Sequence, residues 1–259
     1  IGVQSFNNKD LTFLSRIHNS KQAIKTINDA YEIGFDNINI DLIFNLPEQT
    51  KEKWLDNLSI AVDLPINHIS TYALIVEKNT PLYKLVKKRE VKITEPDYDA
   101  ELYSAGIKFL RQNKFLQYEV SNFAREGYEC KHNLAYWTYK NYLGFGPAAH
   151  SFFNGYRWNN FRNVEKYSNA INKNDSAIEK LEKLSDKQKL EEFVMLSLRS
   201  KGLDLFKVKI ISDKWENENK NYINQLIENE YLKKMKNILR LTDRGYAVCD
   251  EILLKFNYF

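Results

Sequence analysis

Two groups of residues carry the chemistry this sequence can offer. The first centres on Asp41, within Asn37 to Phe44, where Ile38, Ile40, Leu42 and Phe44 alternate with Asn39, Asp41 and Ile43. Period-two alternation predicts a strand with one apolar face and one face bearing Asn39 and Asp41. A strand flanked by helices should be apolar on both faces, so a carboxylate there must be paired or ligand-bound. A structural salt bridge meets that demand, and so does a ligand contact near the C-terminal strand ends of an α/β fold. Gln4, near the end of a strand-like opening, and Arg16, after Leu11-x-x-Leu14, belong to the same argument. A guanidinium beside such a site can clamp a carboxylate through two parallel hydrogen bonds, although a solvated surface arginine is the plainer reading of Arg16.

The second group is Cys130-Lys131-His132-Asn133-Leu134-Ala135-Tyr136-Trp137. Histidine, cysteine and tyrosine are all haem-iron ligand types, and aromatic rings can sandwich a macrocycle. In a helix, His132 and Tyr136 would share a face. The alternative is a histidine that satisfies loop carbonyls beside a core tyrosine. His150 follows Gly144-Phe145-Gly146-Pro147-Ala148-Ala149, a glycine turn whose purpose reads as backbone geometry. The chain contains no GxGxxG, Walker, HExxH or nucleophile-elbow motif. Its two cysteines, Cys130 and Cys249, are too few and too far apart for a disulfide framework, a CxxC zinc site or a complete iron–sulfur ligand set. That usage suits a reducing, cytoplasmic setting.

The elements that must position these residues alternate between helix and strand through the first half. Ser20 is expected to cap a helix with Ala23, Ile24, Ile27, Ala30 and Tyr31 on one stripe, stopped by Gly34. Thr50 caps another with Trp54, Leu55, Leu58, Ala61 and Val62 in register, and His68 to Ile75 is the next strand. A helix from about Pro96 to Asn113 leads to a strand at Leu116 to Val120, so the pattern predicts βα units with a parallel sheet. From Tyr128 to Trp158 the chain becomes aromatic-rich and irregular, the kind of segment that carries function. Asn172 to Lys183 is polar and charged and reads as a linker. After it, Ser185 and Gln188 form a capping box before Leu190, Phe193, Val194 and Leu198. Short helices around Val208 to Trp215 and Tyr222 to Ile227 follow. A ribbon of Tyr231-Leu232 with Ile238 to Leu241 and a Thr242-capped helix to Phe256 complete a winged-helix-like order.

Composition bounds the function. The 259 residues allow one large domain or two modest ones, and 43% hydrophobic against 28% charged residues excludes wholesale disorder. Mean hydropathy is −0.54, and no run approaches the ~18 apolar residues of a spanning helix. The 38 basic and 34 acidic residues leave a net charge of +4, which is no footprint of nucleic-acid binding. A DNA-binding regulator built on the wing is disfavoured further because Trp215, Tyr222, Ile223 and Leu226 read as packing residues.

Several ordered segments resemble one family. Ile1-Gly2-Val3-Gln4-Ser5-Phe6, Ile40 to Thr50, Tyr118 to Ala124, Cys130-Lys131-His132-Asn133, Tyr136-Trp137 and Tyr142 to Pro147 are similar to the HemW group. These are radical S-adenosylmethionine proteins related to oxygen-independent coproporphyrinogen III oxidase and regarded as haem chaperones. The resemblance covers essentially the whole chain. It implies an α/β fold, the C-terminal part of an incomplete (β/α) radical SAM barrel at residues 1–172, followed by a helical winged-helix-like domain at 184–259.

The resemblance also implies functions and ligands. Gln4, Arg16 and Asp41 match positions that contact S-adenosylmethionine, and His132, Asn133 and Tyr136 match an HNxxY motif associated with haem and absent from the oxidases. It implies haem or porphyrin as ligand, delivery to haem-accepting proteins, and a [4Fe–4S] cluster in the complete family protein. This chain lacks the CxxxCxxC loop that would bind the cluster, so an upstream portion is expected. The alternative is the oxidase itself, an adenosyl radical abstracting a propionate-chain hydrogen. Asn45 stands where the family has glycine before Leu-Pro, and Ala148 replaces another glycine. Asn tolerates a left-handed backbone, so the turn at Asn45 is expected to survive, whereas Ala148 leaves the local backbone there open.

Overall fold

Short apolar strands and amphipathic helices alternate through the first half of the computed structural model, which describes residues 1–93 and 95–258. The chain divides into two compact units. One comprises Ile1–Glu129 with Tyr246–Val248, and the other Cys130–Gly245 with Cys249–Phe259.

In the first unit the order is α1 (Asn8–Phe13), α2 (Ser20–Glu32), β1 (Asn39–Phe44), α3 (Lys51–Val62), β2 (His68–Ala73), α4 (Pro81–Lys87), α5 (Pro96–Gln112), β3 (Leu116–Glu119) and β4 (Asn122–Ala124). The cap of α2 is Asn19, one residue before the expected Ser20. Its side chain accepts from Gln22 N while the Gln22 side chain accepts from Asn19 N, a complete capping box. Thr50 caps α3 as expected, accepting from Lys53 N.

Ile38, Ile40, Leu42 and Phe44 all bury on one side, in a cluster with Ile27, Trp54, Leu58, Leu102 and Leu110. Each such side chain contributes about 1.5–3 kcal/mol by leaving water. Trp54 ties α3 to α5 by donating its Nε1 hydrogen bond to Leu102 O at 3.2 Å. The helices thus claim one face of the sheet and leave the polar face of β1 uncovered by apolar packing.

The sheet order is β1-β2-β4-β3. β1 and β2 pair in parallel, as the βα pattern predicts, but β4 runs antiparallel to both β2 and β3, so the sheet is mixed. The tight reversal at Val120-Ser121, with a register shift between Gln117 and Glu119, turns the chain back directly instead of through a helix. The opening residues run alongside β1: Asp41 N donates to Ile1 O at 3.0 Å, Gln4 N to Asp41 O at 2.7 Å, and Ile43 N to Gln4 O at 2.8 Å.

The second unit opens with α6 (Lys131–Trp137), β5 (His150–Phe153), β6 (Tyr156–Asn160), α7 (Val164–Asn174) and β7 (Ile178–Lys183). The last three strands form an antiparallel sheet in the order β5-β6-β7. The expected linker at 172–183 is therefore corrected. It contains the end of α7 and a strand in register with β6, from Tyr156 opposite Lys183 to Asn160 opposite Ile178. Nearly all of β7 is exposed, so it shows none of the apolar alternation that would reveal a strand.

There follow α8 (Asp186–Leu198), β8 (Leu203–Asp204), α9 (Leu205–Ile211), α10 (Trp215–Glu218), α11 (Lys220–Glu228), β9 (Leu232–Met235), β10 (Ile238–Leu241), α12 (Asp243–Ala247) and α13 (Cys249–Leu254). The capping box of Ser185 and Gln188 is present, and the sheet order β8-β10-β9 with its hairpin is that of a winged helix. The closing helix is two pieces, α12 and α13. Thr242 Oγ1 accepts from Gly245 N at 3.1 Å, the cap bond its type implied. Among the described residues no helix is long and apolar enough to cross a membrane.

Candidate functional site

The polar face of β1 and β2 carries a directed chain of hydrogen bonds that ends on Asp41. The parallel register sets Asn39 opposite His68 and Asp41 opposite Ser70. Tyr118 OH lies 2.8 Å from His68 Nε2, and His68 Nδ1 lies 2.6 Å from Asn39 Oδ1. Ser70 Oγ donates to the same Asn39 oxygen at 3.3 Å, while Asn39 Nδ2 donates to Asp41 Oδ1 at 2.8 Å. Burial pushes the His68 imidazole down to about 4 against the opposing pull of Asp41, so it is neutral at neutral pH.

The salt-bridge reading of Asp41 does not hold: among the described residues it makes no ion pair, and its side-chain partner is the Asn39 amide. The same face extends across the sheet, with Ser70 opposite Asn122 and Asn122 opposite Glu119. Glu119 is fully buried; it accepts from Ser121 N at 3.0 Å and from Asn122 Nδ2. Burial raises its carboxyl above the usual range.

Of the three residues expected to meet here, the structure brings two together. Gln4, at φ 71°, bonds by its backbone to both neighbours of Leu42, and so sits beside Asp41. Arg16 is exposed after the left-handed Ser15 and makes no ion pair or side-chain hydrogen bond with either. Asn45 has φ 61°, the left-handed turn expected of it, and Ala148 adopts φ 61° in the same way. A cavity of about 670 Å³ lined by Asp10, Phe13, Leu46 and Tyr98, among others, holds none of the expected site residues.

The second constellation is helical, on α6. His132 and Tyr136 share a face, their rings edge-to-face with centroids 4.9 Å apart, and Tyr136 meets Tyr142 in the same manner at 4.6 Å. Edge-to-face geometry is the favoured arrangement of such rings. His132 and Tyr136 are exposed, and Asn133 is half-buried. The reading of His132 as a residue satisfying loop carbonyls finds no support, because its ring makes no such hydrogen bond among the described residues.

Beyond Tyr142 the chain leaves Leu143 55% and Phe145 86% exposed, an apolar extension beside an aromatic cluster. Gly144 holds this loop close to β5: a Cβ there would stand 2.2 Å from His150 O, so only glycine fits. The turn thus serves backbone geometry, and His150 begins β5 opposite Asn159.

The end of α6 is anchored. Tyr139 OH donates to Glu192 on α8 at 3.2 Å, Glu192 pairs with Arg157 on β6, and the Tyr139 ring packs on Phe152 and Phe193. Burial and the Glu192 carboxylate raise the Tyr139 phenol. Tyr118 and Tyr139 lie in segments that the sequence marks, but their pairing with His68 and with Glu192 has no sequence signal, since each partner comes from a distant segment.

Three comparisons with known proteins bear on these sites. Residues 184–248 match the model of the HemN C-terminal domain. The chain is 31% identical over 264 residues to the heme chaperone HemW of Lactococcus lactis, covering 99% of this chain and 68% of that protein. It is 35% identical over 198 residues to the heme chaperone HemW of Bacillus subtilis, covering 76% of this chain and 52% of that protein. A mouse mitochondrial protein named radical S-adenosyl methionine domain-containing protein 1 is 39% identical over 153 residues, covering 59% of this chain and 35% of its own. The fold matches that of coproporphyrinogen III oxidase (HemN) from Escherichia coli, a radical SAM enzyme, with TM-score 0.74 over 98% of this chain and 62% of that one, at 21% identity. The chain thus spans about half the length of the Bacillus relative and about two thirds of the Lactococcus one.

Proposed function

Since the chain belongs to the HemW family, we propose that it binds haem on the α6 face formed by His132 and Tyr136 and delivers it to a haem-accepting protein. The observation that carries this reading is the exposed His132 ring held edge-on by Tyr136, which is itself held by Tyr142. An imidazole positioned by packing but open to solvent can ligate iron without first breaking a protein hydrogen bond. Exposed Phe145 and Leu143 add apolar surface for the macrocycle. Tyr136 offers a phenol oxygen as an alternative ligand, and Asn133 an amide for the ring's edge substituents. The anchoring of Tyr139 to Glu192 holds the helix while ligand arrives and leaves.

We assign Gln4 and Asp41, with Arg16, to S-adenosylmethionine. Asp41 Oδ1 is occupied by Asn39, while Oδ2 makes no hydrogen bond among the described residues, so it can accept from a ligand's hydroxyl or amine. Bound S-adenosylmethionine would supply a sulfonium and an adenosyl group. This chain's own residues would orient it through Asp41 and the Gln4 segment. A [4Fe–4S] cluster does not fit the residues present. The chain has two cysteines, and burial pushes the Cys249 thiol up to about 12, away from the thiolate a cluster needs. The match over residues 184–248 supports treating 184–259, whose last residue lies outside the described ones, as a family module, while the compact units divide after Glu129, so that residues 130–172 fall in the same unit as most of it. A cytoplasmic setting accords with cysteine usage.

The test is haem binding followed by transfer. The purified chain should give a saturable Soret band at one haem per chain, and should pass that haem to an apo-haem protein on mixing. A featureless, non-saturating titration would overturn the reading.

A further inference from the structure

The chain of hydrogen bonds behind Asp41 has a direction, and the direction says what it is for. The Asp41 carboxylate accepts and cannot donate, so Asn39 must turn its Nδ2 toward Asp41 and its Oδ1 toward His68. An acceptor at Asn39 Oδ1 requires the proton on His68 Nδ1, which leaves Nε2 as an acceptor for Tyr118 OH. Every polar contact in this chain then points the same way, from Tyr118 through His68 and Asn39 to one oxygen of Asp41. A partner with the opposite polarity at any link would break the sequence.

We infer that His68, Asn39 and Tyr118 are positioning residues that hold Asp41 in one rotamer with its Oδ2 presented to the ligand. This rests on the reading of Asp41 as a contact for S-adenosylmethionine. Three features support it. His68 is 5% exposed and in the neutral form that the tautomer argument requires. Ser70 Oγ supplies a second donor to Asn39 Oδ1, so the amide is held from two sides. Asp41 has no cation to fix it, so the amide link is its only side-chain restraint among the described residues. None of the three touches the ligand oxygen, so each would act through Asp41 alone.

The experiment measures Asp41 χ1 by scalar couplings on the labelled full chain, together with calorimetric binding of S-adenosylhomocysteine. A single staggered rotamer gives one large and one small coupling, or two small ones, and free rotation averages them to intermediate values. Wild type and His68→Gln should show the single-rotamer pattern, because a glutamine amide can donate to Asn39 and accept from Tyr118. His68→Leu and Asn39→Ala should average it, and Tyr118→Phe should shift the His68 ring toward a mixture of tautomers in its nitrogen spectrum. Thioether affinity should fall by about tenfold in Asn39→Ala, a loss of about 1.4 kcal/mol, and return in His68→Gln relative to His68→Leu. Unchanged couplings in both His68→Leu and Asn39→Ala would overturn the positioning role. If wild type and Asp41→Asn bind the thioether equally, or neither binds it, the ligand assignment of Asp41 fails instead, while the couplings still decide the positioning.

Discussion

The polar face of β1 and β2 and the aromatic face of α6 use opposite means to prepare a side chain for a ligand. Around Asp41, buried polar side chains are joined in a chain of hydrogen bonds, and His68 and Ser70 are each no more than 5% exposed. Among the described residues the His132 ring makes no hydrogen bond. Rings set edge to face hold the imidazole, with Tyr136 37% exposed. A buried network restricts a group to one orientation because a misplaced polar atom there is costly. An exposed ring cluster restricts little, but it keeps apolar area available to a large flat ligand. The first design suits recognition of a small polar molecule, and the second suits capture and release of a macrocycle.

The contrast predicts large stability effects in the first region and small ones in the second. The largest concerns Asn57, whose Oδ1 accepts from Phe6 N at 2.5 Å and from Ser5 Oγ at 3.0 Å, pinning the segment that follows Gln4. Asn57→Ala strands a buried backbone N–H and should lower stability by about 2–3 kcal/mol in denaturant titration. If the loss were as small as for a surface change, the opening segment would not be held as described.

Next is pH. The folded-state pKa of His68 lies below its unfolded value of 6.5, at about 4. The unfolded chain therefore binds more protons between those values. The His68 contribution is fully present above about pH 6.5 and is lost as pH falls toward 4, and is on the order of 2–3 kcal/mol. His68→Gln should flatten the stability profile across that window, and an unchanged slope would place the titration elsewhere.

Glu119 runs the other way. Its folded pKa is raised by burial, so its favourable contribution is present below the unfolded pKa and lost as pH rises through the folded one. Glu119→Gln should then raise stability at neutral pH, by no more than about 1 kcal/mol, because its NH2 replaces one of the two oxygens that accept from Ser121 N and Asn122 Nδ2. Destabilisation by Gln would mean that the carboxylate is more valuable than its burial implies. The smallest expected effects belong to α6: His132→Ala and Tyr136→Phe should shift stability by no more than about 0.5 kcal/mol, as exposed substitutions do.

Much of this was legible in the residues. Ile38, Ile40, Leu42 and Phe44 announce a two-faced strand, and the inward Asp41 is informative because the alternation makes it anomalous. The face shared by His132 and Tyr136 follows from helical spacing once α6 is helical. The strands β4 and β7 were not legible for physical reasons. β4 is three residues long and exists by pairing with two other strands, and β7 is polar and exposed on nearly every residue. His68 is silent in the sequence because a histidine at a strand start has no meaning until parallel register puts Asn39 opposite it. Arg16 shows the converse: its residue type fitted the site, but an exposed turn after Ser15 leaves it unpaired with Asp41.

The central claim, that α6 presents a haem ligand, is tested most directly by titrating haem into the wild-type chain and into His132→Ala and His150→Ala variants. An imidazole–iron bond is a single removable interaction, whereas stacking is spread over Tyr136, Tyr142 and their neighbours. The account predicts that His132→Ala shifts the Soret band and weakens binding by at least about tenfold, while His150→Ala leaves both unchanged. Identical spectra and midpoints for wild type and His132→Ala would contradict it, and would move the iron to Tyr136 or Cys130.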